Sequence, residues 1–256
     1  MAARHCFDKL AICAITFDLD DTLWEIWPII ARAEERLHDW LKDHYPKVPE
    51  RFSPLDLRQL CADIALQQPG LAHNRTRLRK EALRLAARQV GYSEFQVDAA
   101  FEVFITARNE VVFFEEVLPV LERLSRRYSL GALSNGNADV RRIGLDHFFA
   151  FAINAIDVGA AKPEPAMFKA ACRYLKLSPE RIVHVGDDPE HDVLGAARVG
   201  LRTVWVNRQD KDWPGGERAD AEIKTLEELE LIVEQWNSSA PPPRRRSGAL
   251  QEHLAD

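Results

Sequence analysis

Short apolar runs alternate with segments of helical periodicity over the second half of the chain. The runs SLGALSN, FAINAI, RIVHVGDD and RTVWV predict strands, because they are short, apolar and bounded by polar residues. The neighbouring segments LPVLERLSRRY, ADVRRIGL, PAMFKAACRYL and PEHDVLGAARVG predict helices. Strands that alternate with helices form parallel sheets covered on both faces, so the sequence predicts an α/β fold.

The first predicted strand, LAICAITF at residues 10–17, is separated from this region by a block without strand patterns. Apolar spacing and capping residues predict four helices in that block: Trp27 to Tyr45, Ser53 to about Pro69, Asn74 to Val90, and one capped by Ser93 and Gln96. The block is therefore predicted to be a helical insertion at 26–109 in an α/β core formed by 1–25 and 110–236.

The C-terminal segment 237–256 is rich in proline, serine and charge. It can bury little apolar surface and is predicted to be disordered. Its Arg244–Arg246 cluster is compatible with a contact to a phosphate-bearing partner or with an ordinary solvated patch.

The overall charge excludes several classes of partner. The 256 residues carry a net charge of -6 at pH 7, so the chain has no global positive field to hold nucleic acid or anionic lipid. The longest apolar runs, such as VVFF at 111–114, are far too short to span a membrane. The N-terminus also lacks the pattern of a signal peptide. We therefore expect a cytoplasmic protein that binds neither nucleic acid nor membrane, as a monomer or a dimer.

Four polar motifs follow predicted strands or lie in the loops between them. They are DLDDT at 18–22, SNGN at 134–137, KP at 162–163 and GDDPEHD at 186–192. Open parallel sheets bind ligands beyond the carboxyl ends of their strands, where loops and helix N-termini converge. We therefore expect these motifs to meet at one edge of the sheet.

The acidic residues of these motifs suit catalysis around a cation. Asp18 and Asp20 are two positions apart, so they point the same way in an extended chain, and one can attack while the other handles protons. Several carboxylates in one cleft repel each other unless a cation lies among them. Oxygen ligands suit Mg²⁺, for which Asp18 and Asp187 are the natural ligands.

The remaining motif residues suit a phosphate substrate. A carboxylate that attacks a dianionic phosphate meets charge repulsion, which Lys162 and the Ser134 hydroxyl would relieve. The amides of Asn135–Asn137 could cradle phosphate oxygens in the turn. Taken singly, each residue also has a structural interpretation: Asp20 and Asp21 as turn caps, or acids such as Asp188 at a helix N-terminus. The combination and order of the motifs favour the catalytic interpretation.

Four segments within residues 12–207 resemble the four motifs of the haloacid dehalogenase superfamily of aspartate-nucleophile hydrolases. They are FDLDDTL, LSNGN, AKPEP and VGDDPEHD. The resemblance implies a Rossmann-like α/β core with a helical cap inserted after the first strand. It also implies that Asp18 is the nucleophile and Asp20 the general acid and base. Phosphate would be bound by Ser134, Asn135 and Lys162, and Mg²⁺ by Asp18, Asp20 and Asp187. The supporting residues would be Thr22, Asp188 and Asp192.

A narrower resemblance rests on ITFDLDDTLW, HNRTRLR and NGNADVRRIGL, which look like segments of bacterial phosphatases acting on flavin mononucleotide and on a phosphorylated ribitylaminouracil. It makes four residues of the cap candidates for substrate contact: His73, Arg75, Arg77 and Arg79. A solvated basic helix face is the alternative. Trp24, Trp27 and Trp40 could stack on a flat ring or simply pack.

The predicted function is a Mg²⁺-dependent phosphomonoesterase of small phosphorylated metabolites, acting through an aspartyl-phosphate. Dehalogenases of the superfamily lack an aspartate at the Asp20 position and use no Mg²⁺, so this sequence resembles the phosphatases. The alternatives are a nucleoside 5'-monophosphate or sugar-phosphate phosphatase, a phosphomutase, and, in another class, a non-catalytic protein that binds a phosphate ligand.

Overall fold

The computed structural model describes residues 11–238. Six parallel strands form one sheet, in the order β3-β2-β1-β4-β5-β6. Their bounds are β1 Ala14–Phe17, β2 Ser129–Ser134, β3 Phe151–Asn154, β4 Ile182–Gly186, β5 Arg202–Val206 and β6 Ala221–Ile223. The predicted parallel α/β fold is confirmed. The three-residue strand β6 was not predicted, because so short a segment carries no recognisable alternation.

The segment between β1 and β2 is helical, as predicted. Its α-helices are α1 Ile26–His44, α2 Lys47–Arg51, α3 Pro54–Gln67, α4 Arg75–Gln89 and α5 Val97–Arg108, and we refer to them together as the helical cap. The capping box at Ser53 is present, with Asp56 N–H donating to Ser53 Oγ at 3.2 Å and Ser53 N–H donating to Asp56 Oδ2 at 2.8 Å.

The predicted cap of α5 was wrong. The helix begins at Val97 rather than at Ser93, and Gln96 makes no side-chain capping bond. The Gln96 N–H donates instead to Tyr45 Oη at 3.0 Å. A tertiary hydrogen bond to α1 therefore replaces the local cap that the sequence indicated.

The chain enters and leaves the helical cap through two adjacent segments. The main chains of Trp24 and Phe113 form an antiparallel bridge. The Phe114 N–H also donates to Leu23 O at 3.1 Å. Both connections of the cap therefore lie side by side, close to the end of β1.

The remaining helices follow the strands, and each was expected except the short α8. They are α6 Val117–Ser125, α7 Val140–Ile143, α8 Ala155–Val158, α9 Ala166–Leu175, a π-helix Pro189–Leu194 that continues into α10 Gly195–Val199, and α11 Leu229–Ser238. Helix α8 takes the last residues of the predicted strand FAINAI, because Asp157 Oδ2 accepts from Asn154 N–H at 2.8 Å in a capping box.

The segment predicted to be disordered, 237–256, begins inside α11, which ends at Ser238. The Asn237 Oδ1 accepts a hydrogen bond from Ile12 N–H at 2.8 Å. The rest of the segment, with Arg244–Arg246, lies outside the described residues. None of the helices within 11–238 is long and apolar enough to cross a membrane.

Each face of the sheet buries its own apolar cluster. Ile15 and Phe17 lie in the cluster with α6 and α11, and Ala14 lies in the cluster with α9 and α10. Side chains of a strand point alternately to its two faces, so this division follows directly from the residue order of β1. A third cluster lies within the helical cap.

The strand order brings the motif-bearing loops together. Strand β1 pairs with β2 on one side and β4 on the other, with Phe17 opposite Ala132 and Val185. The connections turn in opposite directions on the two sides of β1, which makes this edge a topological switch point. The loops after β1, β2 and β4 therefore converge beyond Phe17.

Candidate active site

Lys162 joins two acidic motifs. Its Nζ lies 2.6 Å from Asp18 Oδ1 and 2.6 Å from Asp192 Oδ1, and it donates to Leu133 O at 2.8 Å. The lysine side chain is only 1% exposed. Three acceptors around one buried ammonium fix its position, directly beside the first residue after β1.

The charges of this group depend on one another. Burial alone would lower the pKa of Lys162, but the carboxylates of Asp18 and Asp192 raise it above its usual value. Burial acts on Asp192 in the opposite direction, yet Lys162 and a hydrogen bond from His184 hold its pKa well below its usual value. Lys162 and Asp192 are therefore a buried ion pair.

The His184 ring lies between Asp192 and Thr16 and contacts both. Its Nε2 lies 3.2 Å from Asp192 Oδ1 and its Nδ1 lies 2.9 Å from Thr16 Oγ1. Burial lowers the pKa of His184, so the ring is neutral at pH 7. We assign the proton to Nε2, where it is donated to the carboxylate, with the Thr16 hydroxyl donating to Nδ1. The contact of His184 with the ion pair gives it a positioning role.

Gly186, the last residue of β4, leaves room for Asp192. A Cβ atom on Gly186 would lie 2.3 Å from Asp192 Cγ. The other Asp192 oxygen, Oδ2, accepts from Asp188 N–H at 3.1 Å. Both Asp192 oxygens are thus occupied by partners from the chain.

Three carboxylates form a compact group. Oxygens of Asp18, Asp187 and Asp192 all lie within 4.8 Å of one another. Burial, and then repulsion from Asp192, raises the pKa of Asp187 to about 7. Burial also raises the pKa of Asp18 well above its usual value, and Lys162 offsets only part of that rise.

The group suits a divalent cation. Asp192 is engaged by Lys162 and His184, so Asp18 and Asp187 are the residues able to hold an ion. Oxygen donors are the ligands that Mg²⁺ prefers. Thr22 Oγ1 donates to Asp187 Oδ1 at 3.2 Å, and Trp205 Nε1 donates to the Asp187 main-chain oxygen at 2.8 Å. These contacts hold Asp187 toward Asp18.

Asp20 lies outside this group. Both its carboxylate oxygens lie 2.6 Å from Arg108 Nη2, and Trp24 Nε1 donates to Oδ1 at 2.9 Å. The Asp20 carboxylate thus lies against Arg108, the last residue of α5, and its predicted contact with the metal stays a prediction. Arg108 was missed by sequence reasoning, because no local motif distinguishes it from other helix-terminal arginines.

Ser134 and Asn135, the phosphate-binding candidates at the end of β2, differ in their hydrogen-bond partners. Ser134 Oγ accepts from Gly136 N–H at 2.9 Å, which leaves its hydroxyl proton able to bond a substrate oxygen. The Asn135 side chain pairs with the main chain of Lys162: Oδ1 accepts from the N–H at 2.7 Å and Nδ2 donates to the C=O at 2.9 Å. The Asn135 side chain thus positions the lysine.

Asp188, a predicted support, and Asp21, a possible turn cap, both make local hydrogen bonds. Asp188 Oδ1 accepts from the N–H groups of Glu190 and His191, each at 2.8 Å, and so caps the π-helix. Asp21 has a left-handed φ of 59°, and its Oδ1 accepts from Ile26 N–H at 2.9 Å at the entry to α1. Both acids shape loops that carry other site residues.

A cavity of about 310 Å³, which we name the arginine cavity, lies between the helical cap and the loops after β1 and β2. Asp20, Gly136 and Asn137 line its floor, and its charged walls are the four arginines Arg58, Arg75, Arg79 and Arg108. Of the cap residues predicted to contact substrate, Arg75 and Arg79 line this cavity and His73 and Arg77 do not. Arg58 was not predicted, because it lies on α3, outside the basic segment HNRTRLR.

The three tryptophans have different environments. Trp24 is fully buried, and its ring packs edge-on against Phe113 at 5.9 Å. Trp40 stacks on His44 at 4.3 Å within α1. Trp27 is 56% exposed, with the Arg58 guanidinium 4.5 Å above its ring. Trp27 is therefore the most exposed of the three tryptophans.

Comparison with known proteins agrees with the predicted family. The family model described as haloacid dehalogenase-like hydrolase matches residues 12–200. The chain is 30% identical over 230 residues to the 5-amino-6-(5-phospho-D-ribitylamino)uracil phosphatase YigB of Escherichia coli (strain K12), which covers 87% of this chain and 96% of that relative.

Solved structures share the fold over most of the chain. The crystal structure of 2-haloacid dehalogenase from Pseudomonas syringae pv. Tomato DC3000 superposes with a TM-score of 0.83 at 41% identity, over 88% of this chain and 99% of that one. A haloacid dehalogenase phosphatase from Thermococcus onnurineus gives a TM-score of 0.63 at 26% identity, over 87% and 98%. The chain belongs to the haloacid dehalogenase-like hydrolases and is an enzyme of their phosphatase class.

Proposed function

We propose that this enzyme is a Mg²⁺-dependent phosphomonoesterase that hydrolyses small phosphorylated metabolites through a covalent intermediate on Asp18. The observation that carries the proposal is the buried ion pair of Lys162 with Asp18, set 2.6 Å apart beside the carboxylate of Asp187. A nucleophile, a fixed cation and a second oxygen ligand for a metal therefore lie in one crevice of the sheet edge.

The first step transfers the phosphoryl group to the protein. An oxygen of Asp18 attacks phosphorus, the bond to the leaving oxygen breaks, and Asp20 supplies the proton that this oxygen takes up. The Ser134 hydroxyl bonds a phosphoryl oxygen, and the positive charge of Lys162 beside Asp18 offsets the negative charge of the phosphoryl group. Mg²⁺ held by Asp18 and Asp187 would add positive charge against the repulsion between carboxylate and phosphate.

The second step releases phosphate. Asp20, now ionised, takes a proton from a water molecule that attacks phosphorus, and the bond to Asp18 breaks. Asp18 returns as a carboxylate and Asp20 returns protonated. The helical cap, residues 26–109, closes over the site and keeps bulk water from the acyl phosphate between the two steps.

The substrate class follows from the family and from the narrower likeness. Similarity to YigB over most of both chains supports a phosphorylated ribitylaminouracil as first candidate. Flavin mononucleotide is the second candidate, from the narrower sequence resemblance. Nucleoside 5'-monophosphates and sugar phosphates are the alternatives, with a phosphomutase as a variant of the same covalent chemistry. A panel of these esters ranked by kcat/KM separates them.

The test of the covalent step is Asp18→Asn, with hydrolysis of an aryl phosphate as the readout. We expect kcat/KM to fall by at least about a thousandfold. Asp43→Asn, on the exposed face of α1, is the matched control and keeps full turnover. Rapid quenching of the wild type should trap phosphate on Asp18. Unchanged turnover in Asp18→Asn, or turnover that persists in a chelator, would refute the proposal.

A second candidate function is 2-haloacid dehalogenation, which the 41% identity to the Pseudomonas syringae protein favours. Asp20 stands against it, because superfamily dehalogenases lack an aspartate at that position. Halide release from 2-chloropropionate in the absence of Mg²⁺ would support the dehalogenase. Phosphate release alone would support the phosphatase, and binding without turnover would indicate a non-catalytic protein.

A further inference from the structure

The arginine cavity is dominated by hydrogen-bond donors. A guanidinium donates hydrogen bonds and accepts none. Apart from the four arginines, its lining side chains are apolar except for Asp20, Asn137 and Cys61. Asn137 Oδ1 is already engaged, because Arg108 Nε donates to it at 3.3 Å. A ligand in this cavity therefore meets many N–H groups and few acceptors.

The positive charge of the cavity exceeds its negative charge. Glu34, which is 4% exposed, forms ion pairs with both Arg58 and Arg79, and Arg79 Nη2 lies 3.2 Å from Glu34 Oε1. Asp20 takes Arg108. Two carboxylates thus serve four arginines, in a protein whose net charge is -6. The excess of guanidinium groups over carboxylates suits a ligand that brings electron-rich oxygens.

Two arginines keep unused donors. Arg108 is 1% exposed, and its buried Nη1 has no hydrogen-bond partner within residues 11–238. Arg75, at the start of α4, lines the cavity, is exposed to solvent, and makes no ion pair within the same described residues. By contrast, Arg79 is fixed from two sides, with its guanidinium 3.8 Å over the Phe104 ring.

We propose that the arginine cavity binds the leaving group of the substrate through acceptor oxygens, with Arg75 and Arg108 as the specificity-determining residues. The acceptors are a carboxylate or ring carbonyls, both of which match the planar N–H fork of arginine. A leaving group that presents amino donors instead leaves the guanidinium protons unpaired and is rejected. This inference rests on the proposed phosphomonoesterase function and deepens it, since Asp20, which protonates the leaving oxygen, forms the cavity floor.

The experiment compares two matched pairs of substrates in the wild-type enzyme with Mg²⁺. Glycerate 3-phosphate and glycerol 3-phosphate differ in a carboxylate against a hydroxymethyl group. Uridine and cytidine 5'-monophosphates differ in a ring carbonyl against an amino group. We expect kcat/KM to favour the acceptor-bearing member by at least about tenfold in one pair, and that pair identifies the acceptor as carboxylate or carbonyl.

The variants Arg75→Gln and Arg108→Lys should bring that ratio toward one. The ratio of kcat/KM between the two members of a pair is taken within each variant. A general loss of turnover is expected for Arg108→Lys, because Arg108 also holds Asp20, and it cancels in this ratio. Arg88→Gln, on the exposed last turn of α4, is the control and retains the wild-type ratio. Thermal unfolding of each variant verifies that it folds.

The outcomes separate the two proposals. Hydrolysis of the esters with a ratio below about threefold in both pairs would overturn the cavity inference alone, as would a wild-type ratio retained in both variants. Absence of hydrolysis for every ester would overturn the phosphomonoesterase proposal, and the inference with it.

Discussion

Two regions of the molecule differ in how they are built. The strand-end group, which consists of Asp18, Lys162, Asp187 and Asp192, lies beyond the carboxyl ends of the strands, whereas the arginine cavity is lined mainly by helices of the cap. In the first region, Lys162 and Asp192 have all their charges paired within the chain at 2.6 Å. In the second, Arg108 and Arg75 keep donors without partners among the described residues. Under the two proposals the regions have different tasks: the strand-end group performs the step common to every phosphate ester, and the arginine cavity binds the variable part of the substrate.

The largest expected effect tests the strand-end group. Lys162→Met removes the ammonium between Asp18 and Asp192, and we expect kcat to fall at least about a thousandfold, or about 4 kcal/mol, for every phosphate ester alike. Lys169→Met, on the exposed side of α9, is the control. A loss confined to some substrates would break the proposed division of tasks.

A smaller effect is expected in the cavity wall. Glu34→Gln removes the carboxylate shared by Arg58 and Arg79, and should lower the free energy of unfolding by about 2 kcal/mol. Its catalytic effect should appear in KM more than in kcat, because the arginines contact the leaving group. Thermal unfolding and steady-state kinetics measure both, with the exposed neighbour Glu35→Gln as control. A fall in kcat at constant KM would contradict this prediction.

The smallest effect concerns pH and Mg²⁺. The pKa of Asp187 is raised from 3.8 to about 7, so its proton stabilises the folded metal-free protein fully below pH 3.8. That stabilisation is lost as pH rises through 7. Mg²⁺ takes the place of the proton, and should therefore raise the melting temperature more at pH 8 than at pH 5, by about 2–4 °C for each kcal/mol.

The control for this pH experiment is Asp187→Asn, which should abolish the difference between the two pH values. An equal Mg²⁺ shift at pH 5 and pH 8 in the wild type would show that Asp187 does not share a site with the ion.

The sequence predicted that the motif residues meet at the strand ends, because the information for this is local. Asp18 and Asp187 follow strands with a readable apolar pattern, Ser134 ends such a strand, and parallel pairing brings these ends together. Arg58 and Arg108 were not predicted, because their position in the cavity depends on how α3 and α5 pack over the sheet. The start of α5 was mispredicted for the same reason, since the hydrogen bond of Gln96 to Tyr45 is a tertiary one.

The antiparallel bridge between Trp24 and Phe113 fixes the entry and exit of the helical cap as neighbours. A polypeptide inserted there needs only two termini separated by one strand spacing, whatever lies between them. Asp20 is four residues before Trp24, and Arg108 is five residues before Phe113. A transplanted module of different size could thus be grafted at this junction without disturbing the hydrolytic apparatus, and would carry its own selectivity as long as it ended in a residue able to reach Asp20.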